Sequence, residues 1–328
     1  MFAIRLFGKF YPSLRAKRGN LKVSPNHRDS SVAPLPQNDR EEGPRLLRHS
    51  VPRNDRKRLR DCFVADAPRN DKRHCQFDIE WDDENIFPEV VYPDVAFLFR
   101  RMNEVTLESV NPREGEVILD IGCGRGIDGV EMAKKGAVVI GLEPSNVMVG
   151  HAKNHISQNG ASMSLVQGVG EHLPFQVQSL DKIVCKGALD HFPDPAMVIE
   201  QIAMVLKPGG KAIIAIANFG SLGFKLGKMV WLFRKMLGFK ATEGRMPWEV
   251  PPDHTHRFDY SFLKRLVNSQ LEVEQTTGVS LFFGLPWWGI FLAKCPKGMS
   301  LGILNSLDRV ARRLPSLSDV VVLRCRSK

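Results

Sequence analysis

The chain has 328 residues, 43% hydrophobic and 25% charged, which excludes wholesale disorder and leaves ample length for a buried core. Its formal net charge of +10 sits at one end: residues 1–75 carry 18 Lys/Arg against 8 Asp/Glu, whereas residues 76–328 carry 28 of each. The body is therefore neutral, and the basic balance is no argument for a specific nucleic-acid partner.

Residues 12–75 have few periodic apolar runs and many Pro, Arg, Asn and Asp, so a disordered extension is expected there. Pro36-Gln-Asn-Asp-Arg40, Pro52-Arg-Asn-Asp-Arg56 and Pro68-Arg-Asn-Asp-Lys72 recur every 16 residues. That period is too short, and too poor in apolar residues, to stack as a solenoid. Removing this extension is expected to leave the fold intact. Arg5 interrupts the apolar N-terminus before a signal-peptide core can form. The six cysteines (62, 75, 123, 185, 295, 325) form no CxxC pair, and a reducing, cytoplasmic setting is expected. The apolar stretch 279–293 is broken by Pro286 and falls short of the ~20 residues a spanning helix needs.

From residue 77 the pattern alternates between helix and strand. A helix is predicted over 94–110, then a fully apolar strand at 117–121 (VILDI), a helix over 127–135 and a strand at 137–143. A helix at 145–158 and strands at 164–168 and 179–187 follow, then a helix at 195–206 and a strand at 211–218, with KPGG (207–210) as the turn before it. This alternation predicts an α/β fold with a doubly wound sheet, domain 76–328, whose ligands bind at the carboxyl ends of the strands. The first strand ends in Asp120-Ile-Gly-Cys-Gly-Arg-Gly126, and a second acid, Glu143, closes the next strand 23 residues on. Glycines let a backbone turn sharply and approach a ligand, and a carboxylate at a strand end can accept both hydroxyls of a ribose.

Five segments, VILDIGCGRG (117–126), GLEPS (141–145), GEHLPF (170–175), LDHFPDP (189–195) and VLKPGGKAII (205–214), together resemble the core of class I S-adenosylmethionine-dependent methyltransferases, of the small-molecule kind called methyltransferase type 11. The resemblance covers about a third of the chain. It implies a Rossmann-like seven-stranded sheet with an antiparallel edge hairpin, S-adenosyl-L-methionine as cofactor and a small-molecule acceptor. At matching positions it implies that Gly122, Cys123 and Gly124 pass beneath the methionine part, with Asp120 near the amino group. Glu143 would hold the ribose, Pro144 and Ser145 would lie beside the adenine, and Gly170 and Glu171 would flank it. The family's usual acid two residues before that Glu is Val169 here. A non-catalytic cofactor-binding protein of the same fold is the alternative that this change raises. Gly124-Arg-Gly126-Ile-Asp-Gly129 also matches the dinucleotide fingerprint, but a nicotinamide enzyme leaves GEHLPF and LKPGG unexplained.

Methyl transfer needs a base only where the acceptor must lose a proton. His191, just past the fourth strand, is the candidate, with packing as its other reading. His254 and His256 rank second, and a metal site formed by them with Asp253 is not expected, for want of a distant third ligand. Residues 219–256 form an insertion in which Leu222, Leu226, Met229, Val230, Phe233 and Leu237 make one stripe of a helix, with Lys225, Lys228 and Lys235 on the other side. Such a helix is expected to serve as a lid over the acceptor or as a peripheral membrane contact through 221–239. With LFFGLPWWGIF (281–291) as a second aromatic wall, an apolar, lipid-like acceptor is expected rather than a sugar. A helix at 260–269, a strand at 271–279, a helix near 301–314 and a strand at 319–326 complete the chain.

Overall fold

The computed structural model describes residues 81–82, 91–239, 246–251 and 254–328; the basic extension, its repeat, the boundary near residue 75 and Asp253 lie outside them. Seven strands form one sheet: β1 (Val117–Ile121), β2 (Val138–Glu143), β3 (Met163–Gln167), β4 (Leu180–Lys186), β5 (Leu206–Ala217), β6 (Leu271–Val279) and β7 (Val320–Ser327). Their order is β3-β2-β1-β4-β5-β7-β6, with β7 antiparallel to both of its neighbours. The sequence runs outward from β1 to β3 and then restarts at β4 on the other side of β1, so the strand order reverses between β1 and β4. A crevice at the carboxyl ends opens at such a reversal.

Nearly every residue of the central strands is buried because helices cover both faces. Val117, Leu119 and Ile121 of β1 face one core, together with Val198, Ile199 and Ile202 of α4 (Pro195–Val205) and Leu263 and Val267 of α6 (Tyr260–Asn268). Ile118 faces the other, with Leu98 and Met102 of α1 (Pro93–Val110), Val130 of α2 (Ile127–Lys134) and Ala152 of α3 (Asn146–Gln158). This two-residue alternation is the strand period, here apolar on both sides.

Three details depart from expectation. Residues 207–210 belong to β5: Leu180 pairs with Leu206 and Lys182 with Lys211, so KPGG is an irregularity inside the strand rather than a turn before it. The aromatic stretch after Pro286 forms a short helix, α7 (Trp288–Lys294), and the next helix, α8 (Lys297–Arg313), begins directly after Pro296, four residues earlier than its apolar period suggested. Helix α5 (Leu222–Met236) does form in the insertion, but it packs through Gly223, Phe224 and Gly227. A Cβ on Gly223 would lie 2.3 Å from the Phe283 carbonyl oxygen, so the glycine side is the one that can approach the body. Much of the expected apolar stripe is consequently outside: Met229 and Phe233 are each 60% exposed and Met236, beside it, 76%.

Candidate functional site: a glycine turn and an apolar pocket at the strand ends

The turn after β1 is held to the end of β2: the Gly122 and Cys123 N–H groups both donate to the Leu142 carbonyl, at 2.8 and 3.1 Å. Gly122 has φ 67°, and a Cβ there would lie 2.5 Å from the Ala188 Cβ. No larger residue fits, so the backbone itself forms the floor of the crevice.

Two buried acids stand at this floor. Asp120 is the penultimate residue of β1, and burial, reinforced by the neighbouring Asp128 carboxylate and opposed by Lys186, holds its carboxyl well above the ordinary carboxylate range. Lys186, at the end of β4, is ion-paired with Asp128 of α2 and donates to Asn103 Oδ1 at 2.6 Å. Glu143 is raised by burial as well, against two stabilising hydrogen bonds. Its Oε2 accepts the Gly124 N–H at 2.9 Å and its Oε1 the Ser145 N–H at 3.0 Å. Ser145 caps α3 by accepting the Met148 N–H, and its hydroxyl donates to the Trp81 carbonyl at 2.7 Å. The Pro144 carbonyl accepts from Gln167. Burial also pushes the Cys123 thiol up, which keeps it in the weakly nucleophilic thiol form.

Thus Asp120, Gly122, Cys123, Gly124, Glu143, Pro144 and Ser145 meet as one linked patch. Gly170 backs onto the Phe192 ring. Glu171 is buried, with its carboxyl raised by that burial, and its Oε1 accepts the Asp194 N–H at the start of α4. One side chain of this patch is therefore anchored toward α4 rather than toward the glycine turn.

At the strand ends, Leu98, Phe99, Met102, Gly187, Ala217, Phe219, Phe224, His254, Phe283, Asp319 and Val320 line a tight recess. Its walls are apolar apart from two ionisable side chains, His254 and Asp319. Asp319 accepts the Phe283 N–H at 3.0 Å and is 4% exposed; burial raises its carboxyl well above the ordinary range. His254 Nδ1 lies 3.3 Å from Asp190 Oδ2. His191, half-buried, meets the His254 ring edge-on at 4.8 Å and the Trp81 ring at 6.1 Å. His256 stands apart, its Nε2 3.0 Å from the Pro193 carbonyl oxygen. Among the described residues no group of three or more His, Cys, Asp or Glu could hold a metal. Sequence reasoning assigned no role to Asp190 or Asp319; Asp190 stands inside LDHFPDP, and Asp319 directly precedes the last strand.

A family described as "Methyltransferase domain" matches residues 118–210. The ubiquinone biosynthesis O-methyltransferase of Aliivibrio fischeri is 38% identical over 119 residues, 36% of this chain and 50% of that protein. The enzyme of the same name from Coxiella burnetii is 34% identical over 120 residues, 36% and 51% of the two chains. The chain thus spans about half the length of these curated relatives. Among solved structures, a SAM-dependent methyltransferase from Thermotoga maritima covers 70% of this chain and 91% of its own, with 19% identity and a TM-score of 0.45. With the glycine turn, the two strand-end acids and the strand order, the match over 118–210 identifies a class I S-adenosylmethionine-dependent methyltransferase domain.

Proposed function

We propose that the protein transfers a methyl group from S-adenosyl-L-methionine to oxygen of an apolar, small-molecule or lipid-like acceptor bound in the pocket beside Gly187. The observation that carries this reading is an apolar recess at the strand ends that includes Gly187, the neighbour of the Ala188 that packs against Gly122, with two ionisable groups in its wall. The naming of the Aliivibrio and Coxiella relatives as O-methyltransferases supports oxygen as the site of attachment.

The residues of the linked patch fit the cofactor. Asp120, buried and raised in pKa, gains a partner if an ammonium comes to rest beside it, and the Glu143 oxygens have lone pairs left for a ribose diol after accepting two N–H groups. Gly122, Cys123 and Gly124 give a floor without bulk beneath the methionine part, while Pro144, Ser145, Gly170 and Glu171 border the adenine. When bound, S-adenosylmethionine supplies an electrophilic methyl on a sulfonium. The chain's own part is to hold the acceptor oxygen in line with that methyl and to keep water from the pocket, which positioning alone can turn into much of the acceleration.

Helix α5 supports a peripheral site of action. Its outward apolar stripe is accompanied by Lys225, Lys228, Arg234 and Lys235, with no acid between 222 and 236. That pairing complements an anionic lipid surface. No helix among the described residues is long and apolar enough to cross a membrane.

Calorimetry with S-adenosylmethionine and, separately, NAD tests the cofactor. Heat with S-adenosylmethionine alone is expected, and heat with NAD alone overturns the reading. Formation of S-adenosylhomocysteine with apolar phenols but not with sugars is the expected acceptor result; binding without turnover on any acceptor in a metabolite extract favours the non-catalytic alternative. Co-sedimentation with anionic vesicles, weakened by salt and absent with zwitterionic vesicles, is expected of α5, and binding to neither removes the membrane role.

A further inference from the structure

One acid in the wall of the recess is held by the fold on a single oxygen. Asp319, directly before β7, is tied down through its backbone: its N–H donates to the Ser280 carbonyl at 3.1 Å, and its own carbonyl accepts the Asn218 N–H at 2.8 Å. Its Oδ2 accepts the Phe283 N–H at 3.0 Å, and the Ser280 hydroxyl also donates to the carboxyl. These bonds pin the turn 280–283, where Ser280 (φ 57°) and Phe282 (φ 72°) adopt left-handed backbone that favours glycine. Oδ1 is buried and makes no hydrogen bond among the described residues, while Asp319 lines the recess together with Leu98, Phe99, Ala217 and Phe283. Holding the turn accounts for Oδ2 alone. A side-chain amide would hold it equally well without burying an acid.

Burial is the largest influence on this carboxyl and raises it against the Phe283 and Ser280 hydrogen bonds, with the Asp94 carboxyl of α1 adding to the rise. Neither Lys nor Arg lines the recess, and His254 is the other titratable group in its wall. Asp319 is therefore a neutral acid near pH 7. Because Oδ2 accepts, the proton sits on Oδ1, and the recess presents a hydrogen-bond donor. A carbonyl oxygen satisfies that donor and brings no hydrogen of its own to strand among apolar walls, as a hydroxyl would. We propose that Asp319 is a specificity residue of the acceptor site, its Oδ1 donating to a carbonyl oxygen of an otherwise apolar acceptor, distinct from the oxygen that is methylated. The proposal rests on the methyltransferase reading above and narrows its acceptor to apolar molecules that carry a ketone-type oxygen.

The test uses the full-length chain with S-adenosylhomocysteine and two probes of one shape, 1-indanone and indane. Titrations followed by NMR give both dissociation constants, and the infrared carbonyl stretch of bound, isotope-labelled 1-indanone reports the hydrogen bond directly. In wild type that stretch should lie at lower frequency than in a hydrocarbon solvent. Asp319→Asn keeps an oxygen for the Phe283 N–H and presents a weaker donor, so the stretch should return part of the way while binding is retained. Asp319→Leu should weaken 1-indanone relative to indane by roughly tenfold. Should Asp319→Leu fail to fold, the wild-type and Asp319→Asn spectra decide. A stretch at its hydrocarbon position, an identical stretch in wild type and Asp319→Asn, or no binding of 1-indanone by wild type overturns the proposal. Failure of the underlying reading shows separately, as wild-type protein that gives no heat with S-adenosylmethionine or S-adenosylhomocysteine; the same probes titrated without either then still measure the recess.

Discussion

Glu143 holds Gly124 by a 2.9 Å hydrogen bond from the glycine N–H to Oε2, while its other oxygen holds Ser145. One buried carboxylate therefore sets the shape of two loops before any ribose reaches it. Glu143→Ala removes the loop anchor together with the proposed diol acceptor, and S-adenosylmethionine affinity should fall by about 1.5–3 kcal/mol, roughly 10- to 150-fold in Kd. Glu143→Gln keeps one acceptor oxygen and should fall between that variant and wild type. Unchanged calorimetric affinity in both variants would remove Glu143 from the cofactor contact.

Gly122 combines a φ of 67° with a neighbour that a Cβ would strike at 2.5 Å. Gly122→Ala should therefore lower stability by about 1–3 kcal/mol from the backbone alone, with Ala188 forced aside. Thermal melting measures this, and calorimetry should show weakened cofactor binding in whatever fraction remains folded. A variant that melts and binds like wild type would mean that the turn has another conformation.

Asp94 gives a pH signature unrelated to the reaction. It is buried in the first turn of α1, and burial, opposed by the Val95 N–H, raises its carboxyl from 3.8 to about 6. The folded chain takes up this proton more readily than the unfolded one, so stability falls as pH rises from about 4 to about 6 and stays lowered above that. At about 1.4 kcal/mol per pKa unit, roughly 3 kcal/mol is at stake. Asp94→Asn keeps an oxygen for the Val95 N–H and should raise Tm at pH 7.5, with the gain vanishing near pH 3.5. A gain of the same size at both pH values would rule out titration of this carboxyl as the cause.

Ser145 does two jobs with one hydroxyl, capping α3 and reaching the Trp81 carbonyl. Ser145→Ala should cost about 1 kcal/mol of stability, as for other lost N-caps. Tryptophan fluorescence should change with it if Trp81 is released. Ser145→Asp retains a capping oxygen and should recover most of the stability but not the Trp81 contact, since a carboxylate cannot donate to a carbonyl.

The central strands were legible because they serve two apolar cores at once, so that VILDI and VVIGLE read as nearly unbroken apolar runs between turns. The patch from Asp120 to Ser145 was legible for a related reason: its parts lie close along the chain, at the ends of consecutive strands. The orientation of α5 was not. Amphipathic spacing defines an apolar stripe but not whether that stripe faces in, and the deciding residues, Gly223 and Gly227, contribute almost nothing to a hydrophobic pattern. Nor was the approach of Asp190 to His254, since they are brought together by a clasp of backbone hydrogen bonds that no local periodicity encodes.

The two halves of the crevice are assembled over different spans of chain. The glycine turn and its acids come from one unbroken run, 120–145, whereas the pocket gathers Leu98, Gly187, Phe224, Phe283 and Val320 from five places spread across more than two hundred residues. The pocket is accordingly complete only when the antiparallel strand β7 lies between β5 and β6, and it depends on contacts of high sequence separation. An acceptor bound there would report on the finished molecule as a whole. The run 120–145 is modular by comparison: insertions or exchanges around α5 and α7 can remake the pocket's outline and leave the glycine turn and its acids untouched.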